Sequence, residues 1–248
     1  MKATCYPSKN LLKVALFLAY CAVTVGCGTV ANSNNMQGKR LFMAGQYNQA
    51  LQSFEKAVQR DPQNADAYYN MAATYHKLGT SSENQQYLNQ AEVLYNECLN
   101  RDAGHTDCYR GLAVLLVETN RKDKAFTLLR GWNAADPQSA DPKLELARLY
   151  KEFGDSQTAS DLVVDAIKQD PTNARANRAM GMLREQQGEL ALALDSYQRA
   201  LQANSMQPDL AAKVASLQQS IATQYAGQTG ARSTQTASTV PVPTSGRY

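Results

Sequence analysis

The stretch GQYNQALQSFEKAVQRDPQNADAYYNMAATYHKLG, residues 45–79, is the clearest part of a pattern that recurs about every 34 residues between Ala31 and Gln207. A period of this size is typical of one supersecondary unit stacked on copies of itself. We call the five copies repeats 1 to 5, in chain order. No other pattern in the chain carries comparable information about the fold.

Each repeat has the same residue types at fixed positions. A small residue is followed seven positions later by a turn residue, then by an alanine and, four residues further on, by a large apolar residue. The small residues are Gly38, Ala72, Ala113, Ala147 and Gly181. The turn residues are Gly45, Gly79, Asn120, Gly154 and Gly188. The large apolar residues are Phe54, Tyr95, Leu129, Val163 and Tyr197. Three repeats end on Asp-Pro, at Asp61, Asp136 and Asp170.

These residue types predict pairs of antiparallel helices. Small residues let two helices approach closely, and the large apolar residue fills the space beside them. Glycine adopts the positive φ that ends a helix and reverses the chain. Aspartate before proline is expected to cap the next helix, with proline in its first turn. Since one pair cannot cover its own apolar face, neighbouring pairs must stack into a solenoid with a shallow concave surface.

The pattern resembles the tetratricopeptide repeat family, over 177 of the 248 residues. The resemblance implies an all-α helix-pair solenoid of about five repeats plus a C-terminal capping helix, within residues 35–226. It also implies recognition of a partner protein or peptide. Some cytosolic members hold C-terminal carboxylates in a clamp of lysines, asparagines and an arginine. Only Asn70 matches that clamp, because Asn35, Lys39, Asp107 and Gly111 do not fit its other positions.

Repeat 2 contains seven extra residues between Gly79 and Ala91. Seven residues are close to two helical turns, so an inserted helix keeps its buried face in register. We predict a longer second helix, capped by Ser82 with Gln85 and overhanging by roughly 10 Å. A loop is the alternative, since closure entropy grows slowly with loop length. The first helix of repeat 1 is polar and is expected to fray or start late.

Residues 1–26 are predicted to be an export signal. Three lysines precede an apolar run from Val14 to Val25, which is too short for a comfortable membrane span. The run ends in Val25-Gly26-Cys27 and resembles a bacterial lipoprotein signal, which implies lipidation of Cys27 and a lipid-anchored linker over 27–34. Cleavage nearby or an uncleaved anchor is the alternative. The expected location is the periplasmic side of the outer membrane.

The formal net charge of +3 comes from the signal's lysines. Without residues 1–26 the chain has equal numbers of basic and acidic side chains, so its charge gives no reason to expect a nucleic-acid partner.

Beyond repeat 5, Asp209 to Ala226 has an apolar stripe that predicts a capping helix. Residues 227–248 are rich in Ser, Thr, Gly and Pro and are predicted to be disordered. A solvated tail is the simpler interpretation of this segment, and a short binding motif is the alternative.

Cys98 and Cys108 flank the turn between repeats 2 and 3. Cys98 stands where alanine is usual, so a small buried thiol is expected, and a disulfide is the alternative. His76 and His105 lack a second ligand at helical spacing, so no metal site is predicted.

The chain has no nucleophile elbow and no phosphate-binding glycine loop. Acidic residues are expected on outer, solvated faces. We therefore expect no enzyme activity, no cofactor and no small-molecule substrate.

The inner positions of the first helices supply the candidate binding surface. Its later half is basic, which suits an acidic peptide or a carboxylate, although ordinary surface charge is the alternative. The candidate peptide-binding residues are Tyr69, His76, Arg110, Arg148, Lys151, Arg175 and Arg178. We predict a protein-binding adaptor anchored in the bacterial cell envelope. The layout resembles that of short tetratricopeptide lipoproteins that serve pilus or secretion assembly, and this resemblance implies a pilotin-like assembly factor as the alternative.

Overall fold

The computed structural model describes residues 32–235, with side chains described as far as residue 224. Within this range the chain forms eleven α-helices and no strand. The helices are α1 (32–43), α2 (Tyr47–Arg60), α3 (Ala65–Ser82), α4 (Gln85–Arg101), α5 (Thr106–Glu118), α6 (Lys122–Ala135), α7 (Ala140–Glu152), α8 (Ser156–Gln169), α9 (Ala174–Gln186), α10 (Leu190–Ala203) and α11 (Pro208–Gln235). Helices α1 to α10 form the five repeats in pairs, so the predicted all-α helix-pair fold class is confirmed.

The chain divides into two compact units, with the boundary inside α6 between Leu129 and Arg130. In the first unit, α2 to α5 pack in chain order, and α3 also contacts α5. In the second unit, α7 to α11 pack in chain order, and α7 also contacts α9. A first helix therefore contacts its own partner and the first helix of the next repeat, as expected for stacked helix pairs.

The small and large positions of a repeat pack against each other. A Cβ atom added at Gly181 would lie 2.5 Å from the ring of Tyr197, and one added at Gly38 would clash with the ring of Phe54. Both rings are almost fully buried. The absent side chain lets the first helix lie directly on the ring of the second, which confirms the predicted close approach.

Most predicted turn residues end helices. Positive φ angles of 74°, 58°, 87° and 79° occur at Gly45, Asn120, Gly154 and Gly188. Gly79 is the exception, and its predicted role as a turn residue is wrong. It lies inside α3, buried, and a Cβ there would approach Leu88 Cδ2 to 2.6 Å. The chain reverses instead at Glu83, which has a φ of 52°.

The extra residues of repeat 2 lengthen both of its helices. Helix α4 has 17 residues, compared with 14 in the second helices α2, α8 and α10. Helix α3 has 18 residues, compared with 13 in α5, α7 and α9. The predicted capping box is wrong, because the Asn84 side chain caps α4 and accepts from Gln86 N at 2.9 Å. The Ser82 hydroxyl belongs to α3 and donates to the Leu78 carbonyl at 2.6 Å.

Contrary to the prediction, the aspartates of the Asp-Pro pairs do not cap the following helices. Asp61 Oδ1 accepts from the backbone N–H of Gln63 at 3.1 Å and so stabilises the turn itself. Helix α3 is capped by Asn64, and helix α9 is capped by Asn173 in the same way. The proline therefore precedes the capping residue and lies in the short turn between two helices, outside the first turn of the next helix.

The first helix starts earlier than expected. Helix α1 already includes residue 32, and Asn35 is buried within it. Its Oδ1 atom accepts a hydrogen bond from Asn70 Nδ2 of α3 at 2.9 Å, which gives the polar helix a specific contact with repeat 2. Residues 32–34 thus belong to a helix and not to a linker. The predicted signal over 1–26 and the predicted lipidation site at Cys27 lie outside the described residues.

The capping helix is present and is longer than predicted. Leu210, Val214 and Leu217 of α11 are buried against α10, as the apolar stripe predicts. The helix continues to Gln235 and so includes residues 227–235 of the segment predicted to be disordered, while residues 236–248 lie outside the described range. None of the described helices combines the length and apolar character needed to cross a membrane.

Cys98 and Cys108 form a disulfide, so the expectation of an unpaired Cys98 is wrong. The bond joins α4 to α5 with 6.6 Å between the Cα atoms, and both residues are fully buried. Cys98 does occupy the buried alanine position, but the N-terminus of α5 places the second thiol directly beside it. Disulfides typically contribute about 2–4 kcal/mol, chiefly by constraining the unfolded chain.

Candidate functional site

The seven predicted binding residues fall into two groups, one in each compact unit. Tyr69, His76 and Arg110 lie on α3 and α5 of the first unit. The four basic residues lie on α7 and α9 of the second unit: Arg148, Lys151, Arg175 and Arg178. All seven are on first helices of repeats, as predicted, and the surroundings of each group decide what it can bind.

Tyr69 belongs to a cluster of rings in the first unit. Its ring centroid lies 6.2 Å from that of Tyr95 and 5.5 Å from that of His105. Burial is the main cause that raises the pKa of Tyr69, followed by the nearby Asp107 carboxylate, while Arg110 acts in the opposite direction. Arg110 Nη1 also donates to Asp107 Oδ1 at 2.8 Å. Tyr69 is thus a neutral, half-buried phenol beside a pair of opposite charges.

His76 is held by two contacts inside the first unit. Its Nε2 lies 2.8 Å from Glu118 Oε2, and its Nδ1 lies 3.4 Å from the Tyr95 hydroxyl. Carboxylate, imidazole and hydroxyl are in the order of a catalytic triad. However, Tyr95 is buried, and that burial raises the pKa of its phenol, which opposes formation of a nucleophilic phenolate. The chain of contacts therefore fastens α3 to α4 and α5.

A buried carboxylate organises the basic group of the second unit. The Glu145 side chain is 1% exposed, contrary to the expectation that acidic residues lie on solvated faces. It forms ion pairs with Arg175 and with Arg148, whose Nε donates to Glu145 Oε2 at 3.3 Å. Arg175 Nη1 also donates to Asp141 Oδ1 at 2.6 Å, and Arg148 Nη1 donates to Glu152 Oε2 at 3.1 Å. Carboxylates of the protein thus already occupy both arginines.

The two remaining cations are available to a ligand. Lys151 and Arg178 are exposed, and neither has an ion-pair partner among the described side chains. Each lies three residues after an occupied arginine, and therefore on the same side of its helix. Met182 follows Arg178 by one further turn and is 45% exposed. The resulting surface, which we call the α7/α9 face, has free positive charge next to an apolar side chain.

The structure also brings together three side chains that sequence reasoning kept apart. The sulfurs of Cys98 and Cys108 and one ring nitrogen of His105 lie within 4.8 Å of one another. Helical spacing could not reveal this group, because a turn separates its members. The spacing Cys-x6-His-x2-Cys around that turn is the signal that was present in the sequence.

Family models match both units of the chain. A model described as TPR repeat matches residues 38–79, and one described as tetratricopeptide repeat matches residues 144–208. The chain thus contains tetratricopeptide repeats in both units. The family is generally a non-catalytic scaffold that binds protein or peptide partners.

Solved structures support the same fold. A thermophilic TPR protein of Thermus thermophilus is 24% identical, with a TM-score of 0.55, covering 75% of this chain and 98% of that one. Pseudomonas aeruginosa pilF is 16% identical, with a TM-score of 0.50, covering 78% of this chain and 86% of that one. At these sequence identities, the similarity shows a shared fold and nothing more.

Curated relatives match through part of their length. Human protein O-mannosyl-transferase TMTC1 is 24% identical over 66% of this chain and 18% of its own length. Bovine BBSome complex member BBS4 is 24% identical over 67% of this chain and 31% of its own length. The chain spans between 18% and 36% of the length of the curated relatives it matches.

The positions that correspond to the family's carboxylate clamp have other roles in this chain. Asn70 of repeat 2 donates a hydrogen bond to Asn35 of repeat 1. Gly111 lies against the ring of Tyr95, and a Cβ there would approach that ring to 2.6 Å. A long basic side chain has no space at Gly111, which agrees with the poor match of this chain to the clamp.

Removal of Arg175 is expected to destabilise the second unit. Arg175→Ala leaves the Glu145 carboxylate buried with one cation fewer, and loss of a partner of a buried polar group costs about 1–3 kcal/mol. The control Lys168→Ala removes an exposed pair with Asp165, and such pairs contribute about 0–1 kcal/mol. The free energy of unfolding in urea distinguishes them. Equal, small losses for both variants would contradict a structural role for Arg175.

Proposed function

We propose that the protein is a non-catalytic adaptor, anchored in the bacterial cell envelope by a lipid on Cys27, that captures a partner protein through the α7/α9 face. The observation that carries this proposal is the free positive charge of Lys151 and Arg178 beside the exposed Met182. The helix-pair scaffold supports it, because stacked repeats provide extended surfaces for protein recognition.

The chemistry of the α7/α9 face suggests the chemistry of its partner. Two unpaired cations favour carboxylates, and an exposed methionine adapts to apolar side chains of varied shape. Arg148 and Arg175 neutralise Glu145, so they contribute rigidity and alignment more than free charge. The preferred ligand is therefore an acidic segment with an apolar residue. Tyr69, His76 and Arg110 have fewer free polar groups and form a secondary candidate surface.

The envelope location is proposed from the sequence. A basic start, a short apolar run and the Val25-Gly26-Cys27 ending support export followed by lipidation. The disulfide supports an oxidising compartment, because disulfides persist outside the cytosol. A location on the periplasmic side of the outer membrane is consistent with both the signal and the disulfide.

Charge reversal on the α7/α9 face is expected to weaken partner capture. The double variant Lys151→Glu, Arg178→Glu should weaken binding by about tenfold or more, since like charges brought together at an interface cost on the order of several kcal/mol. The measurement is the yield of cross-linked partner in native envelopes and the Kd of the partner so identified.

The matched control reverses the same number of charges elsewhere in the second unit. Lys168→Glu with Arg199→Glu alters exposed residues of the second helices α8 and α10. The two double variants should differ in capture while their far-UV circular dichroism stays the same. Undiminished capture by the Lys151, Arg178 variant would exclude the α7/α9 face.

Replacement of the proposed lipid site tests the anchor. Cys27→Ser should move the protein from the membrane fraction to the soluble periplasmic fraction, because serine cannot form the thioether that carries the lipid. Cys21→Ser is the control, since it changes a cysteine of the predicted signal and leaves Cys27 in place. Membrane association that survives Cys27→Ser would contradict the lipid anchor.

A pilotin-like assembly factor is the second candidate function. The observation that favours it is the extended α3–α4 hairpin, whose helices are longer than those of the other repeats. The hairpin bears the Tyr75 and Tyr87 rings, which contact each other in a tilted arrangement with centroids 5.8 Å apart. The likeness in fold to Pseudomonas aeruginosa pilF is compatible with this alternative.

Deletion of residues 80–86 separates the two candidate functions. The deletion places Ala91 five positions after Gly79, which is the spacing from Gly45 to Ala50, so the shortened repeat is expected to fold. An assembly factor that uses the hairpin should lose pilus or secretion assembly while partner capture by the α7/α9 face persists. Normal assembly with the shortened hairpin would count against the second function.

A further inference from the structure

The turn between α4 and α5 holds a group of side chains that takes no part in the proposed capture of a partner. Cys98 lies near the end of α4, Cys108 lies in the first turn of α5, and His105 caps α5 between them. Both cysteines are fully buried, and the His105 side chain is 11% exposed. Their sulfurs and one imidazole nitrogen lie within 4.8 Å of one another.

Two hydrogen bonds define the tautomer of His105. The backbone N–H of Cys108 donates to Nδ1 at 3.3 Å, so Nδ1 carries a lone pair. Nε2 lies 3.1 Å from Asp66 Oδ1, so Nε2 carries the proton and donates it to the carboxylate. The imidazole thus turns its Nδ1 lone pair toward the backbone N–H of Cys108, at the start of α5, and its Nε2–H toward Asp66 of α3. A carboxylate in that position is the usual outer partner of a metal-binding histidine.

We propose that reduction of the Cys98–Cys108 disulfide opens a binding site for a thiophilic divalent cation such as Zn²⁺. The ligands are the two thiolates and His105 Nδ1, where the cation replaces the hydrogen bond from the Cys108 backbone N–H, and a water molecule takes the fourth position. Tetrahedral zinc has Zn–S distances of about 2.3 Å and Zn–N distances of about 2.0 Å, which separates ligand atoms by roughly 3.5–3.8 Å. The Cα separation of 6.6 Å lets the two sulfurs move apart to that distance through side-chain rotation.

The redox step balances with a dithiol as the reductant. The dithiol attacks one sulfur of the disulfide and is itself oxidised to a disulfide, and it transfers two electrons and two protons to Cys98 and Cys108. Binding of the cation then releases those two protons, since thiolates are the ligands. The same cysteines therefore act as a covalent link between α4 and α5 when oxidised and as a cation site when reduced.

The experiment uses the full chain with Cys5, Cys21 and Cys27 replaced by serine, so that only the pair at 98 and 108 remains. The protein is reduced with a dithiol, freed of it under anaerobic conditions and titrated with Co²⁺, then with Zn²⁺. The reduced protein should bind one Co²⁺ with a thiolate charge-transfer absorption that Zn²⁺ removes, and the oxidised protein should show neither. No binding to the reduced protein, or equal binding to both forms, overturns the proposal.

Three variants test the individual roles. His105→Asn removes the nitrogen ligand but keeps a residue suited to cap α5, so binding should weaken while far-UV circular dichroism is retained. Asp66→Asn should weaken binding by about 10–100-fold through the outer hydrogen bond. Glu118→Gln changes the corresponding carboxylate beside His76 and should leave cation affinity unchanged. Parent-like affinity in His105→Asn refutes the proposed ligand set.

Discussion

The fold of this chain depends on rings and leucine side chains packed against positions that have no side chain. Phe54 on Gly38, Tyr197 on Gly181 and Tyr95 on Gly111 place a ring where any added Cβ would collide with it. The contact of Leu88 with Gly79 has the same form in the extended hairpin. Because these contacts occur within and between repeats, they set how closely the contacting helices pack.

In the second unit, one buried carboxylate determines which basic side chains remain unpaired. Glu145 cannot remain buried without cations, so Arg148 and Arg175 are held against it and the first helices α7 and α9 are aligned. The surface charge that remains for a partner is then smaller than the count of basic residues suggests. It is concentrated on Lys151 and Arg178, one turn further along each helix.

The interior of the first unit differs from that of the second, because aromatic and sulfur-containing side chains surround its histidines. Each of the two histidines contacts a carboxylate on a first helix: His76 contacts Glu118 of α5, and His105 contacts Asp66 of α3. One histidine rests on a buried phenol and fastens helices together. The other histidine lies beside two cysteine sulfurs, and this grouping is the basis of the proposed cation site.

At the end of the second unit, Lys213 of α11 lies 2.5 Å from Glu185 of α9. The capping helix is therefore held to the last repeat by an ion pair as well as by apolar burial.

The sequence alone determined the repeat, the helix pairs and the capping helix, because spacing of small, turn and large apolar residues acts locally and recurs. It also located the turns at Gly45, Asn120, Gly154 and Gly188, where a positive φ is a property of one residue. Only the tertiary structure decided that Gly79 packs inside α3, that Asn64 and not Asp61 caps that helix, and that Cys98 meets Cys108. The tertiary structure also decided that Glu145 is buried and that His105 lies beside two sulfurs. Each depends on distances between residues from different helices, and periodicity along the chain contains no information about such distances.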